Sequence, residues 1–376
     1  MDMENSVYLD HNATTALRPC AADAMHEAMA AVGNPSSVHR FGRVARRLVE
    51  DSREAVAAMA GALPADVIFT SGGTEANNLC LRGVGRDRIL VSAVEHPSVL
   101  RASENVVEIP VDGDGVVDLA ALGGLLSEDK APALVSVMMA NNETGVIQPI
   151  AEVSEIAHSH GALVHCDAVQ AAGKVTLSMS QTGVDLMTLS AHKIGGPVGV
   201  GAVVTGSGVS LAAINRGGGQ ERSARAGTEN VVGITGFGAA AEAAHGQAER
   251  FSEIAGWRDS LESNLAETAP ICIFGDGAAR LANTSCMAMP GVDAETQVMA
   301  FDLGGIAVSA GSACSSGKVE PSHVLKAMGV AEAEAECAIR VSLGWNSRHA
   351  DVDRFIKAWR KLYARLGQDQ NLAAAV

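Results

Sequence analysis

A lysine stands in the run Ser190-Ala191-His192-Lys193-Ile194-Gly195-Gly196-Pro197, between a β-prone stretch and a glycine-rich turn where packing has no use for it. An amine so placed could form an imine with a carbonyl compound, while Ser190 and His192 supply hydrogen bonds to a phosphate. From this segment alone a solvated lysine on a surface loop reads equally well. A second run, Ser71-Gly72-Gly73-Thr74-Glu75-Ala76-Asn77, follows another β-prone stretch. Glycines let a backbone approach a ligand, and a helix opening near Thr74 would aim free N–H groups at an anion. A plain Gly-Gly-Thr turn capping a helix is the simpler alternative.

Three further runs carry reactive types. In His165-Cys166-Asp167-Ala168-Val169-Gln170 a carboxylate at a strand end could hold a protonated ring nitrogen, and Gln170 could bond a ring hydroxyl. An Asp capping the next helix is the alternative. The stretch from Gly217 to Asn230 pairs four glycines with Arg222 and Arg225, suiting closure over an anionic ligand of its own or a partner subunit, or simply a disordered loop. Ser309-Ala310-Gly311-Ser312-Ala313-Cys314-Ser315-Ser316-Gly317-Lys318 sets a cysteine among small residues, where exposure and a nearby cation would favour the thiolate. An inert loop thiol fits the same letters. His158, His160 and His165 suggest a metal, but two fall at a helix end and one inside a strand, so no metal site is expected.

The elements that must position these residues alternate. Stretches 66–70, 88–92, 133–138, 162–166, 185–189 and 200–204 read as buried strands, with helices such as 150–160 between them. That alternation predicts an α/β fold, a mostly parallel sheet covered on both faces, with ligands beyond the carboxyl ends of the strands. A long helix over 233–265, with breaks, leads to a smaller α/β portion. A closing helix over 351–366 turns Val352, Phe355, Ile356, Trp359, Leu362, Tyr363 and Leu366 to one face.

Among the 376 residues, 47% are hydrophobic and 19% charged, an ordinary globular balance. The formal charge of −15 argues against nucleic acid or an anionic membrane as the main partner. The first ten residues do not read as a signal peptide, and no apolar run approaches a membrane span. The seven scattered cysteines form no C-x-x-C pair, which points to a reducing cytoplasm rather than disulfides or zinc.

Taken together, the runs resemble the cysteine desulfurases, pyridoxal phosphate enzymes of fold type I. The likeness extends through Tyr8-Leu9-Asp10-His11-Asn12-Ala13-Thr14-Thr15, Gly33-Asn34-Pro35-Ser36-Ser37-Val38-His39, Glu95-His96-Pro97-Ser98, Asn141-Asn142-Glu143-Thr144-Gly145 and Arg340-Val341-Ser342-Leu343-Gly344. It implies a large cofactor-binding domain over 15–250 with a mostly parallel seven-stranded sheet. A small domain from 1–14 and 251–376 would carry the catalytic cysteine.

The resemblance assigns roles. Lys193 would hold pyridoxal phosphate as a Schiff base and move the substrate Cα proton. His96 would stack on the ring, Asp167 pair with its nitrogen and Gln170 bond its phenolic oxygen. Gly73, Thr74, Ser190 and His192 would hold the phosphate, joined by Thr228 from the second subunit of a homodimer. Asn142 would sit near ring and substrate, and Arg340 would grip the substrate carboxylate through two parallel bonds. Cys314, on a mobile loop, would take sulfur from L-cysteine as a persulfide, release L-alanine and pass the sulfur to an acceptor or iron–sulfur scaffold protein. In that transfer Cys314 could contact an iron–sulfur cluster. The turn from Ile194 to Gly199 lacks the histidine and lysine often found in relatives, and the short C-terminus favours a nitrogen-fixation-type or generalist member. Rivals are a selenocysteine lyase or aminotransferase of the same fold, a non-catalytic scaffold, and a metal-dependent hydrolase.

Overall fold

The computed structural model describes residues 6–310 and 321–367. Its strands in chain order are β1 (Val7–Tyr8), β2 (Val67–Thr70), β3 (Arg88–Ser92), β4 (Val106–Ile109), β5 (Ala133–Ser136), β6 (Leu163–Asp167), β7 (Leu186–Ser190), β8 (Gly201–Thr205), β9 (Cys272–Ile273), β10 (Thr284–Ala288), β11 (Ile306–Ala307), β12 (Ser309–Ala310) and β13 (Ala338–Ser342). Seven of them form one sheet in the order β2-β8-β7-β6-β5-β3-β4. The pairs β4–β3, β3–β5, β5–β6 and β6–β7 are parallel, while β8 runs antiparallel to both β7 and β2.

Burial explains which strands the sequence reveals. Every residue of β2, β5 and β7 is buried, as expected of strands covered on both faces. The edge strand β4 exposes Val107 and Glu108, so its residues lack the continuous apolar run, and the six stretches picked from pattern do not include it. The helix expected over 233–265 is two helices, Val231–Ala244 and Ala248–Ala266. The break falls at Gly246, whose φ of 92° is left-handed and incompatible with a continuing helix.

A four-stranded antiparallel sheet, β12-β13-β10-β9, and the parallel pair β1–β11 make a second layer system. On it packs the closing helix, His349–Leu366, with Val352, Phe355, Ile356, Trp359, Leu362 and Tyr363 all buried. Val7, Leu9, Met287, Ile339 and Val341 share that core. The core of the seven-stranded sheet is separate and draws on Val56, Val135, Val164, Cys166, Leu189 and Phe237.

Candidate active site

Strand ends converge on a cavity of about 450 Å³. Gly73, Thr74, His96, Asn142, Asp167, Gln170, Ser190, His192, Lys193 and Arg340 all line it. Each comes from just beyond or within a strand: β2 leads to Gly73, β3 to His96, β6 ends at Asp167, β7 ends at Ser190, and Arg340 lies in β13. The sequence therefore scatters these residues, while the strand ends of the seven-stranded sheet gather most of them and the antiparallel sheet brings Arg340 to the same cavity.

At the phosphate-like end the helix Gly73–Gly83 points its first turn into the cavity. Its backbone ladder begins with Ala76 N–H donating to the Gly72 carbonyl at 3.1 Å, so the amides of Gly73 and Thr74 precede the ladder. A Cβ on Gly73 would lie 3.1 Å from Val169 Cγ2 and 3.6 Å from Ser190 Cβ, filling the approach that a ligand needs. Ser190 and His192 flank the same end. Burial, then the Lys193 charge, lowers the His192 pKa to about 4, so at neutral pH its ring is uncharged.

Lys193 sits on a short 3-10 turn, Ala191–Lys193, directly after β7. Its ammonium donates to the main-chain carbonyls of Asn12 and, at 2.8 Å, Ala13. Burial and then Arg340 lower its pKa to about 8, against the opposing pull of Asp167 and Asp10. A fraction of the amine is therefore neutral, and nucleophilic, near physiological pH. Asp167 accepts Asn77 Nδ2–H at 2.7 Å and the Val169 amide at 2.9 Å, one bond on each oxygen. His96 caps the helix Pro97–Leu100, its Nδ1 accepting the Ser98 amide at 3.1 Å, which leaves the proton of a neutral ring on Nε2. Burial, first among the causes, lowers its pKa.

Arg340 donates through one terminal nitrogen to the Asn142 carbonyl at 2.9 Å and through the other to Asp10 Oδ1 at 2.6 Å. Its buried Nε has no partner among the described residues. One N–H on each terminal nitrogen and the Nε–H thus remain for a planar anion. This donor set fits pyridoxal phosphate and an amino-acid carboxylate: an amine for the carbonyl, a carboxylate for the ring nitrogen, amides and hydroxyls for phosphate.

Thr228 and Cys314 remain to be placed. Thr228 is exposed and lines another cavity of about 230 Å³ with Ser71, Gly199 and Arg225. Cys314 lies outside the described residues. Its described flanks meet the site, since Ser309 and Ala310 line the cavity and Ser322 Oγ–H donates to Glu143, another lining residue, at 2.5 Å.

The stretch from Gly217 to Asn230 departs from expectation. Rather than reaching for a ligand, Arg225 pairs with Glu75 at 2.8 Å, and Arg222 donates to the carbonyls of Ala65 and Pro64. Glu221 turns inward, forms two bonds with Arg53 at 2.8 and 3.0 Å and accepts the Phe69 amide at 2.8 Å. Holding it there places Glu221, Arg222 and Ser223 at φ of 44°, 55° and 64°. Of the three histidines weighed as ligands, His158 bonds Asp185, His160 bonds Ser127 and His165 bonds Ser136 and Thr188. No group of three or more potential metal ligands gathers among the described residues.

Other participants lay inside the quoted runs without a role. Asn12 donates to Thr284 and Asn142, and its carbonyl receives Gln170 and Lys193. Asn77 and Asp10 support Asp167 and Arg340 as described above. Their signal was only proximity to chemistry in sequence, because partners 90 and 330 residues away are visible in the fold alone.

The sequence pattern of the aminotransferase class-V family matches residues 7–355. A cysteine desulfurase from Cereibacter sphaeroides is 44% identical over 367 residues, spanning 93% of this chain and 94% of the relative. An IscS-like cysteine desulfurase from Mycobacterium tuberculosis is 41% identical over 378 residues, spanning 95% and 96%. The solved structure of a NifS-like protein from Rickettsia africae superposes with a TM-score of 0.90 at 37% identity, covering 96% of this chain and all of that one. The chain belongs to the class-V aminotransferases, pyridoxal phosphate enzymes of fold type I. Within that class its place is among the cysteine desulfurases.

Proposed function

We propose that this enzyme converts L-cysteine to L-alanine and leaves the sulfur as a persulfide on Cys314. The observation that carries the reading is one cavity holding Lys193, Asp167, His96 and Arg340 together, with Ser309 and Ala310 before the Cys314 segment lining it and Ser322 after it bonded to the lining residue Glu143. Pyridoxal phosphate, when bound, supplies a carbonyl to an amine and a ring that draws electrons from the substrate Cα. Lys193 would hold that carbonyl and, once displaced by substrate, move the Cα proton with its neutral amine. Asp167 would keep a proton on the ring nitrogen, and Gln170 would donate to the phenolic oxygen. Gly73, Thr74, Ser190 and His192 hold the phosphate. Arg340 fixes the substrate carboxylate, beside Asn142.

The Cys314 thiolate then attacks the substrate sulfur. An S–S bond forms as the Cβ–S bond breaks, the electron pair stays on the substrate carbon, and a proton completes alanine. A thiol reductant or an acceptor protein, an iron–sulfur scaffold among them, collects the sulfur.

A homodimer accounts for two features. Thr228 is exposed and away from Lys193 within one chain, where a second copy could present it to the phosphate. Met29, Val32, Val38 and Phe41 expose apolar side chains within one short stretch. A division into a large domain over 15–250 and a small one from 1–14 and 251–376 agrees with the core under the closing helix being distinct from those on the seven-stranded sheet, while Val94 packs with Phe274, Cys286 and Ala338 across the boundary. A cytoplasmic setting agrees with the cysteine usage, and no helix of the described residues is long and apolar enough to cross a membrane.

The test is product analysis. Purified holoenzyme given L-cysteine and a reductant should yield alanine and sulfide in equal amounts, and selenocysteine and cysteine sulfinate run alongside rank the substrates. Sulfur release without alanine, or no reaction with cysteine, would contradict the reading.

A further inference from the structure

A second lysine lies behind the cavity wall. Lys174 follows Gln170 by one turn, and its ammonium donates to Gln170 Oε1 at 2.9 Å and to Asn12 Oδ1 at 3.0 Å. It is half-buried and forms no ion pair with a carboxylate among the described residues. Burial, then Lys193 and Arg340, push the Lys174 pKa down, and its Nζ–H bonds go to the oxygen end of both amides, which fixes how each amide is turned. Gln170 must turn Oε1 to Lys174, and its Nε2 then faces the Asn12 carbonyl at 2.9 Å and the cavity. One Nε2–H serves Asn12; the other is left for the cavity. Asn12 is fixed in the same sense, its Oδ1 receiving Lys174 and Asn283 while its Nδ2 donates to Asn142 and Thr284.

We infer that Lys174 is a positioning residue of the cofactor site, holding the Gln170 amide so that an N–H, never the carbonyl oxygen, meets the anionic phenolic oxygen of the cofactor. This rests on the proposed role of Gln170. Lys174 lines only the small cavity behind the wall, with His11 and Lys193, so it acts through the amide rather than by touching cofactor.

The consequence is readable as a spectrum. A donor on the phenolic oxygen favours the form of the Lys193 linkage with one proton fewer. Around Lys193 the other charged or titratable groups are Arg340, Asp167, Asp10, His96 and His192, and around Lys174 they are Lys193, Arg340 and His11. None of these changes in the variants below.

The visible band of the holoenzyme is titrated with pH in wild type, Lys174→Met, Lys174→Gln and Lys174→Arg, with melting temperature recorded for each. The titration midpoint should rise by about one unit in Lys174→Met and Lys174→Gln, and Lys174→Arg should return it towards wild type. Glutamine guards against a methionine variant that fails to fold, since it keeps a polar contact but no longer dictates the amide's orientation. An unmoved midpoint in either folded neutral variant overturns the inference. So does an arginine variant shifted as far as the neutral ones. A wild-type enzyme lacking any visible band removes the cofactor reading itself, a failure seen before any variant is compared.

Discussion

Two regions of the molecule spend charge differently. Around Arg53 and Glu221 every charge is answered inside the chain: a two-bond ion pair, an amide on the carboxylate and a carbonyl on the guanidinium. In the cavity Lys193, and behind its wall Lys174, contact neutral oxygens, and Arg340 keeps a buried Nε unpartnered although Asp10 takes one of its terminal nitrogens. Closed networks hold a fold; cations with donors to spare hold an anion. The difference lies in the completeness of the hydrogen bonding, because both regions are buried and both contain arginine.

Substitutions should separate the two regions. Lys193→Ala should remove the visible band of the linkage and lower turnover by about a thousandfold or more, with thermal melting close to wild type; a retained band would break the contrast. Glu221→Gln should do the reverse. It leaves Arg53 buried against a neutral partner, and a denaturant melt should show a loss of about 3–5 kcal/mol while kcat per folded molecule holds. Arg340→Lys should lower kcat/KM for L-cysteine by about a hundredfold, since one ammonium cannot replace the fork.

The pH profile sharpens the same point. Cofactor uptake needs the neutral Lys193 amine, and its pKa is lowered to about 8 by burial and Arg340. Uptake by apoprotein, followed by absorbance, should therefore rise with pH up to about 8 and level off above it. A profile still climbing well past that value would mean that the lysine is not perturbed. The smallest effect is expected at His158, where the bond to Asp185 is partly exposed and Asp185 also receives the Val164 amide. His158→Ala should cost no more than about 1 kcal/mol and leave activity unchanged.

Much of this was legible in the sequence. Buried strands such as β5 and β7 are largely apolar runs, and Asp167 and Lys193 stand at or just beyond strand ends, where a charged side chain has no packing purpose. What the letters hid was direction. In the run from Gly217 to Asn230 the arginines looked free for a ligand, yet Arg225 meets Glu75 and Glu221 meets Arg53, 150 and 168 residues away. The edge strand β4 escaped notice because exposure breaks its apolar pattern. Lys174 escaped because a lysine four residues past Gln170 reads as an ordinary solvated side chain until Asn12 is brought beside it.

The central claim is a division of labour between Lys193, which holds the cofactor, and Cys314, which takes the sulfur. Cys314→Ala holoenzyme mixed with L-cysteine and a reductant tests it most directly, with sulfide and the visible spectrum followed together. The account predicts an unchanged band in the resting variant, a spectral response to cysteine and no sulfide. Loss of the resting band, or sulfide at the wild-type rate, would contradict it.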